Sequence, residues 1–252
     1  MKRIVNVAVV ALVATVVAGG IVSVLQADIA TPRPRWTKVR MVSEDVQIKL
    51  SAKRVRVEAT FHMYSEGNKG EQVVMGYPLG TFEKKLHDFT VSVDGVAIKK
   101  VRTQTNPAAS SGRKYGRPGA PRRRGSQGGA GAEAYRFAGP YKQWKVFNVS
   151  MDGDGPKVVK VSYWVEPAKI VDAKGRNLLH YTYTLRTGAT WKGTIGEAAI
   201  TVALDGVKPA GIVRRTPVGC KVSKDGKALS WTLRDFKPTD NIEITYVPED
   251  VS

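Results

Sequence analysis

Lys53–Tyr64 reads KRVRVEATFHMY. Val55, Val57, Ala59, Phe61 and Met63 fall on one side of a period-two alternation, and Arg54, Arg56, Glu58, Thr60, His62 and Tyr64 fall on the other. Successive side chains of a strand point to opposite faces, so this segment predicts a strand with one face buried and one in water. The same period continues outward. Asp45–Leu50 alternates before it, and Gln72–Tyr77 follows the turn cluster Ser65–Gly70 and ends at Pro78. Phe89–Val93 and Val96–Arg102 flank Asp94–Gly95, a pair that tolerates the positive φ angles of a tight hairpin turn. Further strands are expected at Tyr141–Met151, Val158–Val165, Leu178–Leu185, Glu197–Leu204, Cys220–Ser223, Leu229–Leu233 and Ile242–Val247. Short strands separated by Gly, Asp and Pro predict an all-β, antiparallel β-sandwich. Pro167–Lys174 is the one body segment where a helical turn is expected.

Two stretches depart from the alternation. Ile4–Leu25 is an almost unbroken apolar run behind Lys2 and Arg3, which reads as an export signal or a membrane-anchoring helix. Cleavage after Ala27, cleavage after Ala30 and retention as an anchor all fit it. Asn106–Ala134 is dense in Gly, Pro, Ser and Ala and offers a core almost nothing to bury, so disorder is expected. The expected organisation is a leader (1–27), an N-terminal sandwich half (31–105), the basic insert (106–134) and a C-terminal sandwich half (135–252).

An exported chain places its function in the periplasm or outside the cell. The single cysteine, Cys220, rules out an intramolecular disulfide, and alternation predicts a small buried side chain there. The net charge of +18 favours contact with polyanions: anionic lipid, acidic polysaccharide or extracellular DNA. Intracellular nucleic acid is not expected. The insert concentrates this charge in Arg113, Lys114, Arg117, Arg122, Arg123 and Arg124.

Catalytic signals are sparse. His62 and His180 fall on polar strand faces and His87 precedes Asp88, so a metal site would need strands to bring them together; surface histidines are the simpler expectation. Asp152–Gly–Asp154–Gly lacks the later acid of a calcium loop and predicts a hairpin turn. There is no Gly-x-Ser-x-Gly elbow and no cofactor motif. Gly188–Gly193 carries Trp191 and Lys192, which would suit a ligand loop or, more simply, a plug at the end of the sandwich. Trp144, Trp164 and Trp231 are expected in the core.

Tyr183–Ala198 (YTLRTGATWKGTIGEA) and Trp231–Ile242 (WTLRDFKPTDNI) resemble a bacterial extracytoplasmic β-sandwich family, of the domain of unknown function 4424 type. Gln143–Phe147 and Val73–Pro78 fit the same pattern. The resemblance implies an exported β protein and carries over no cofactor and no catalytic residue. The expected role is a non-catalytic envelope protein acting through protein or surface contacts. A polyanion binder using the insert, and a metal protein or hydrolase using the histidines, are the alternatives.

Overall fold

A computed structural model describes residues 25–27, 29–32, 37–67, 70–79, 86–105, 135, 137, 141–151 and 155–247. The leader before Leu25, the six basic insert residues from Arg113 to Arg124, and the turn at residues 152–154 lie outside them. In chain order the strands are β1 (Leu25–Ala27), β2 (Val39–Leu50), β3 (Val55–Ser65), β4 (Glu71–Pro78), β5 (His87–Val93) and β6 (Val96–Ala97). Next come β7 (Arg102–Thr105), β8 (Gln143–Met151), β9 (Lys157–Val165), β10 (Ala168–Val171), β11 (Asn177–Thr184) and β12 (Ile195–Leu204). The chain closes with β13 (Ile212–Thr216), β14 (Lys221–Val222), β15 (Ala228–Phe236) and β16 (Ile242–Tyr246). The all-β sandwich expected from alternation is what forms.

One layer is an eight-stranded sheet in the order β14-β15-β12-β2-β3-β9-β5-β6. The other combines a five-stranded sheet (β1, β10, β11, β16, β13) with a three-stranded sheet (β4, β8, β7). Ala30 links these two smaller sheets by exchanging backbone hydrogen bonds with Gly76 at 2.8 and 2.9 Å, just after β1 pairs with β11. The inward side chains of all three sheets merge in one core, where Val57, Phe61 and Ile200 meet Tyr181, Ile244, Met75 and Val149. Fully burying one such side chain contributes roughly 1.5–3 kcal/mol.

The division of the chain at the insert is not a division of the sheets. Strands from before and after residues 106–134 alternate within the eight-stranded sheet, and β8 lies between β4 and β7. The expected pair of self-contained halves is therefore replaced by one interleaved sandwich, because β2 pairs in parallel with β12 across most of its length. Two local expectations also change. Val96–Arg102 breaks into β6 and β7 because the chain crosses there from one layer to the other, with Ile98 N–H donating to Val91 O at 2.9 Å. Pro167–Lys174 holds strand β10 and a turn rather than a helical turn.

Pairing also fixes which loops share an end of the sandwich. β1 runs parallel to β11 with Leu25 opposite Thr182, five residues short of the Asn177 end. Tyr246 pairs with Leu179 near that end, and its hydroxyl donates to Ser51 O at 2.8 Å, which places the β2–β3 turn there. Asp205 N–H bonds to Leu50 O and Leu204 N–H to Lys227 O, both at 2.8 Å, adding the β12–β13 and β14–β15 connections. Trp191 lies at the opposite end. It is buried, its indole donates to Ile29 O at 2.9 Å, and Thr190 Oγ1 beside it accepts from Thr31 N–H at 3.1 Å.

Candidate functional site

The outer face of the eight-stranded sheet is polar, and cross-strand register builds a row across it: Lys49 on β2, Arg56 on β3, Trp164 on β9 and His87 on β5. Trp164 shares the parity of Lys160 and Ser162, which sends its ring outward, half-exposed, rather than into the core expected for it. The His87 ring stacks on it, with centroids 3.8 Å apart and planes within 9°. The Arg54 guanidinium carbon lies 5.0 Å from the centre of the same indole. The indole N–H donates to Asp88 Oδ2 at 2.9 Å.

Asp88 reaches that position through a break in the β5–β9 register between His87 and Thr90. Its φ is +52°, a left-handed conformation that costs a non-glycine residue energy and that the surrounding pairing holds in place. Bulges of this kind re-aim side chains at sheet edges. The result is a cleft of about 260 Å³, whose charged lining is Lys49, Arg54, Arg56, Asp88 and Asp205, with Trp164 and Ser162 beside them.

Three cations therefore face two carboxylates. Lys49 approaches Asp205 at 3.3 Å, and Arg56 approaches Glu58, outside the cleft, at 3.4 Å. Both pairs are more than half exposed, so each holds its partner weakly and a ligand can compete for the cations. Arg54 is held by the indole face and has no carboxylate partner among the described residues. A stacked guanidinium keeps its in-plane N–H donors free, the geometry that suits a carboxylate or phosphate. The hydroxyls at the cleft are occupied: Ser51 donates to Arg54 O at 2.8 Å, and Ser162 shares a hydrogen bond with Thr90 at 2.8 Å.

The residues singled out in the sequence are scattered. Trp191 plugs the far end and offers no ring face to a ligand, while Lys192 pairs with Glu66 and donates its backbone N–H to Val39 O at 2.9 Å. His62 is half-buried on the outer face of β3. His180 is not a surface residue: it is buried, with Nδ1 2.9 Å from Thr245 Oγ1 and Nε2 3.0 Å from Thr182 Oγ1. Burial, and then the Arg214 charge, lower its pKa to about 4, so the ring is neutral at physiological pH. No group of three metal-ligating side chains occurs among the described residues. Cys220 is half-buried at the edge of the core rather than within it, because β14 is only two residues long.

The interior holds an acid, Glu44, on the same face of β2 as Val46, Ile48 and Leu50. The register shift between Met41 and Ser43 brings Val39 and Met41 inward as well, while Glu44 accepts a hydrogen bond from Tyr183 Oη at 2.9 Å and leaves Oε2 without a partner. Burial raises its pKa to about 7, the Tyr183 hydrogen bond opposes that rise and the Asp45 charge adds to it.

No protein-family model matches the sequence, and no curated protein matches it. The resemblance of Tyr183–Ala198 and Trp231–Ile242 to the extracytoplasmic family thus rests on those residues alone. Among solved structures, a candidate nutrient-binding protein from Legionella pneumophila aligns over 87% of this chain and 70% of its own, with TM-score 0.61 and 16% identity. That likeness establishes the fold. Yeast LTA4 hydrolase (TM-score 0.37, 10% identity, 84% of this chain and 29% of the other) aligns too loosely to inform function. The same holds for an M1 zinc metallopeptidase of Deinococcus radiodurans (TM-score 0.35, 9% identity, 83% and 42%).

Proposed function

We propose that this chain is an exported, non-catalytic binding protein of the cell envelope, and that it holds a small anionic solute in the cleft beside Trp164. The observation that carries this reading is the Arg54–Trp164–His87 stack, pinned by a backbone-strained Asp88 and flanked by weakly held cations. Strain of this kind needs a reason, and an ordered, cation-rich hollow supplies one. The candidate nutrient-binding role of the Legionella protein is compatible with solute capture.

The test is thermal unfolding against citrate, inorganic phosphate and glucuronate, followed by calorimetric titration. A ligand that binds the native state raises the melting temperature with concentration. The expected result is a rise with at least one anion that Trp164→Ala and Arg54→Ala both abolish. No rise with any of them, or a rise that both variants keep, would remove the cleft from the account. Export is checked by mass spectrometry of the mature protein. Ile29 and Ala30 are fully buried, so the expected N-terminus lies at or before Ile29, and cleavage after Ala30 is not expected.

A second reading is favoured by the net charge of +18: polyanion binding by Arg113, Lys114, Arg117, Arg122, Arg123 and Arg124. Salt-dependent retention on heparin that falls when residues 113–124 are deleted supports it, and unchanged elution rejects it.

A further inference from the structure

β8 is covered unevenly. On one side β4 pairs with it from Trp144 to Met151. On the other, β7 pairs only with Gln143–Val146, so no described strand lies against Phe147–Met151 there. Gln143 O accepts from Leu79 N–H at 2.9 Å, on the β4 side. Hydrogen-bonding direction alternates along an antiparallel strand, so Asn148 and Ser150 turn their N–H and C=O groups away from β4, beyond the end of β7.

Other half-covered edges are blunted. β15 pairs with β14 only at Leu229 and Ser230, and its open half carries Arg234 and Asp235, the latter at φ +45°. β5 is interrupted by the bulge at Asp88, and β13 by a register shift beside Arg214. Charges and bulges of this kind deter foreign strands. Phe147–Met151 reads FNVSM, with no charge, glycine or proline. This unprotected stretch borders a groove of about 550 Å³ between β8 and the crossover from β6 to β7. Lys99, Lys100 and Arg102 are exposed along it, and Ile98 and Val101 are half-buried in its wall. Among the described residues no carboxylate lines it.

We propose that this edge takes a further strand: an acidic, extended segment of a partner protein that pairs with Phe147–Met151 and lies over Lys99, Lys100 and Arg102. Strand addition supplies backbone hydrogen bonds at Asn148 and Ser150, and the cations select for negative charge. The chain's own basic insert is a poor occupant. Its cations repel those of the groove, and Thr105, from which it departs, pairs with Gln143 at the far end of β8. The groove shares no lining residue with the Trp164 cleft, so this proposal stands apart from solute binding.

The probe is a fluorescent, N-acetylated seven-residue peptide alternating Glu and Val, titrated into the full chain in neutral detergent. Binding is read by anisotropy, and pairing by hydrogen exchange at the Asn148 and Ser150 amides. The expected result is saturable binding that slows exchange at both amides several-fold. Lys99→Glu combined with Lys100→Glu should weaken it at least tenfold. A peptide of the same charge, N-methylated at alternate residues so that it cannot pair as a strand, should not bind. Absence of binding, equal binding of a Lys–Val peptide, or binding that leaves the two amides unchanged overturns the proposal. Exchange at both amides that is already slow in the free protein overturns it too. Slowing that rises with protein concentration alone assigns the edge to a second copy and has the same consequence.

Discussion

The two ends of this sandwich are built on opposite principles. At one, Trp191, Thr190, Thr31 and Ile29 close the gap between the layers with a buried ring and side-chain-to-backbone hydrogen bonds. Toward the other, the turns carry exposed lysines, and a cleft on the outer face of the eight-stranded sheet keeps its one large ring, Trp164, half in solvent. Each end carries a tryptophan, yet one indole donates to a backbone carbonyl and the other to a strained aspartate. The buried plug lies at the closed end, and the cleft proposed to take a ligand lies toward the open one.

Substitutions at the two ends can break that contrast. Trp191→Ala, which empties the plug, is expected to cost about 3–5 kcal/mol in chemical denaturation, the cost of removing a large core aromatic. An effect equal to that of Trp164→Ala would erase the distinction. Glu44, on the inner face of the same layer, should show itself through pH. Folding raises its carboxyl from 4.5 to about 7, so the native state holds the proton and stability falls as pH climbs through that window. His180 is shifted down from 6.5 to about 4, so its contribution rises with pH over part of the same range. The two slopes oppose each other and should leave the natural protein nearly flat between pH 4.5 and 6.5. Glu44→Gln should gain about 3 kcal/mol on it between pH 4.5 and 7, from a shift of roughly two and a half units at 1.36 kcal/mol each. Parallel pH profiles of variant and parent would contradict the buried placement.

Smaller effects sharpen the comparison. A Cβ on Gly76 would lie 2.3 Å from the Phe137 ring, which stacks on Trp144 with centroids 4.3 Å apart. Gly76→Ala should therefore cost about 1–3 kcal/mol by overpacking, read as a lower melting temperature. At the open end, Trp164→Ala should cost no more than about 1 kcal/mol and still lose the anion response. Lys49→Met, which removes an exposed ion pair, should change stability by less than about 1 kcal/mol.

Much of the fold could be read from side-chain parity. Lys53–Tyr64 and Val158–Val165 match β3 and β9 closely because each has one wet face and one dry face. Parity failed where both faces are covered. On β11, His180, Thr182 and Thr184 look like a solvent face but are buried. It also failed across the register shift in β2, where Val39 and Met41 are buried out of phase with Val46, Ile48 and Leu50. β1 was hidden inside an apolar run that reads as leader. The interleaving of the strands was not visible at all, since local alternation says nothing about partners far along the chain. For the cleft, Trp164's parity with Lys160 and Ser162 was a usable signal, outweighed by the usual preference of tryptophan for the core. The bulge that aims Asp88 leaves no comparable trace.

The parallel pairings of β1 with β11 and of β2 with β12 have a consequence for the order of events during synthesis. The first strands to leave the ribosome must wait for partners about 150 residues later in the chain, and Ile29 cannot be covered until Trp191 arrives. Such long-range closure is slow, and while it is pending the unsatisfied edges of β2 and β4 are open to foreign strands. The export proposed above would carry the chain across the membrane half-zipped, and a holding chaperone on the far side would be its natural companion.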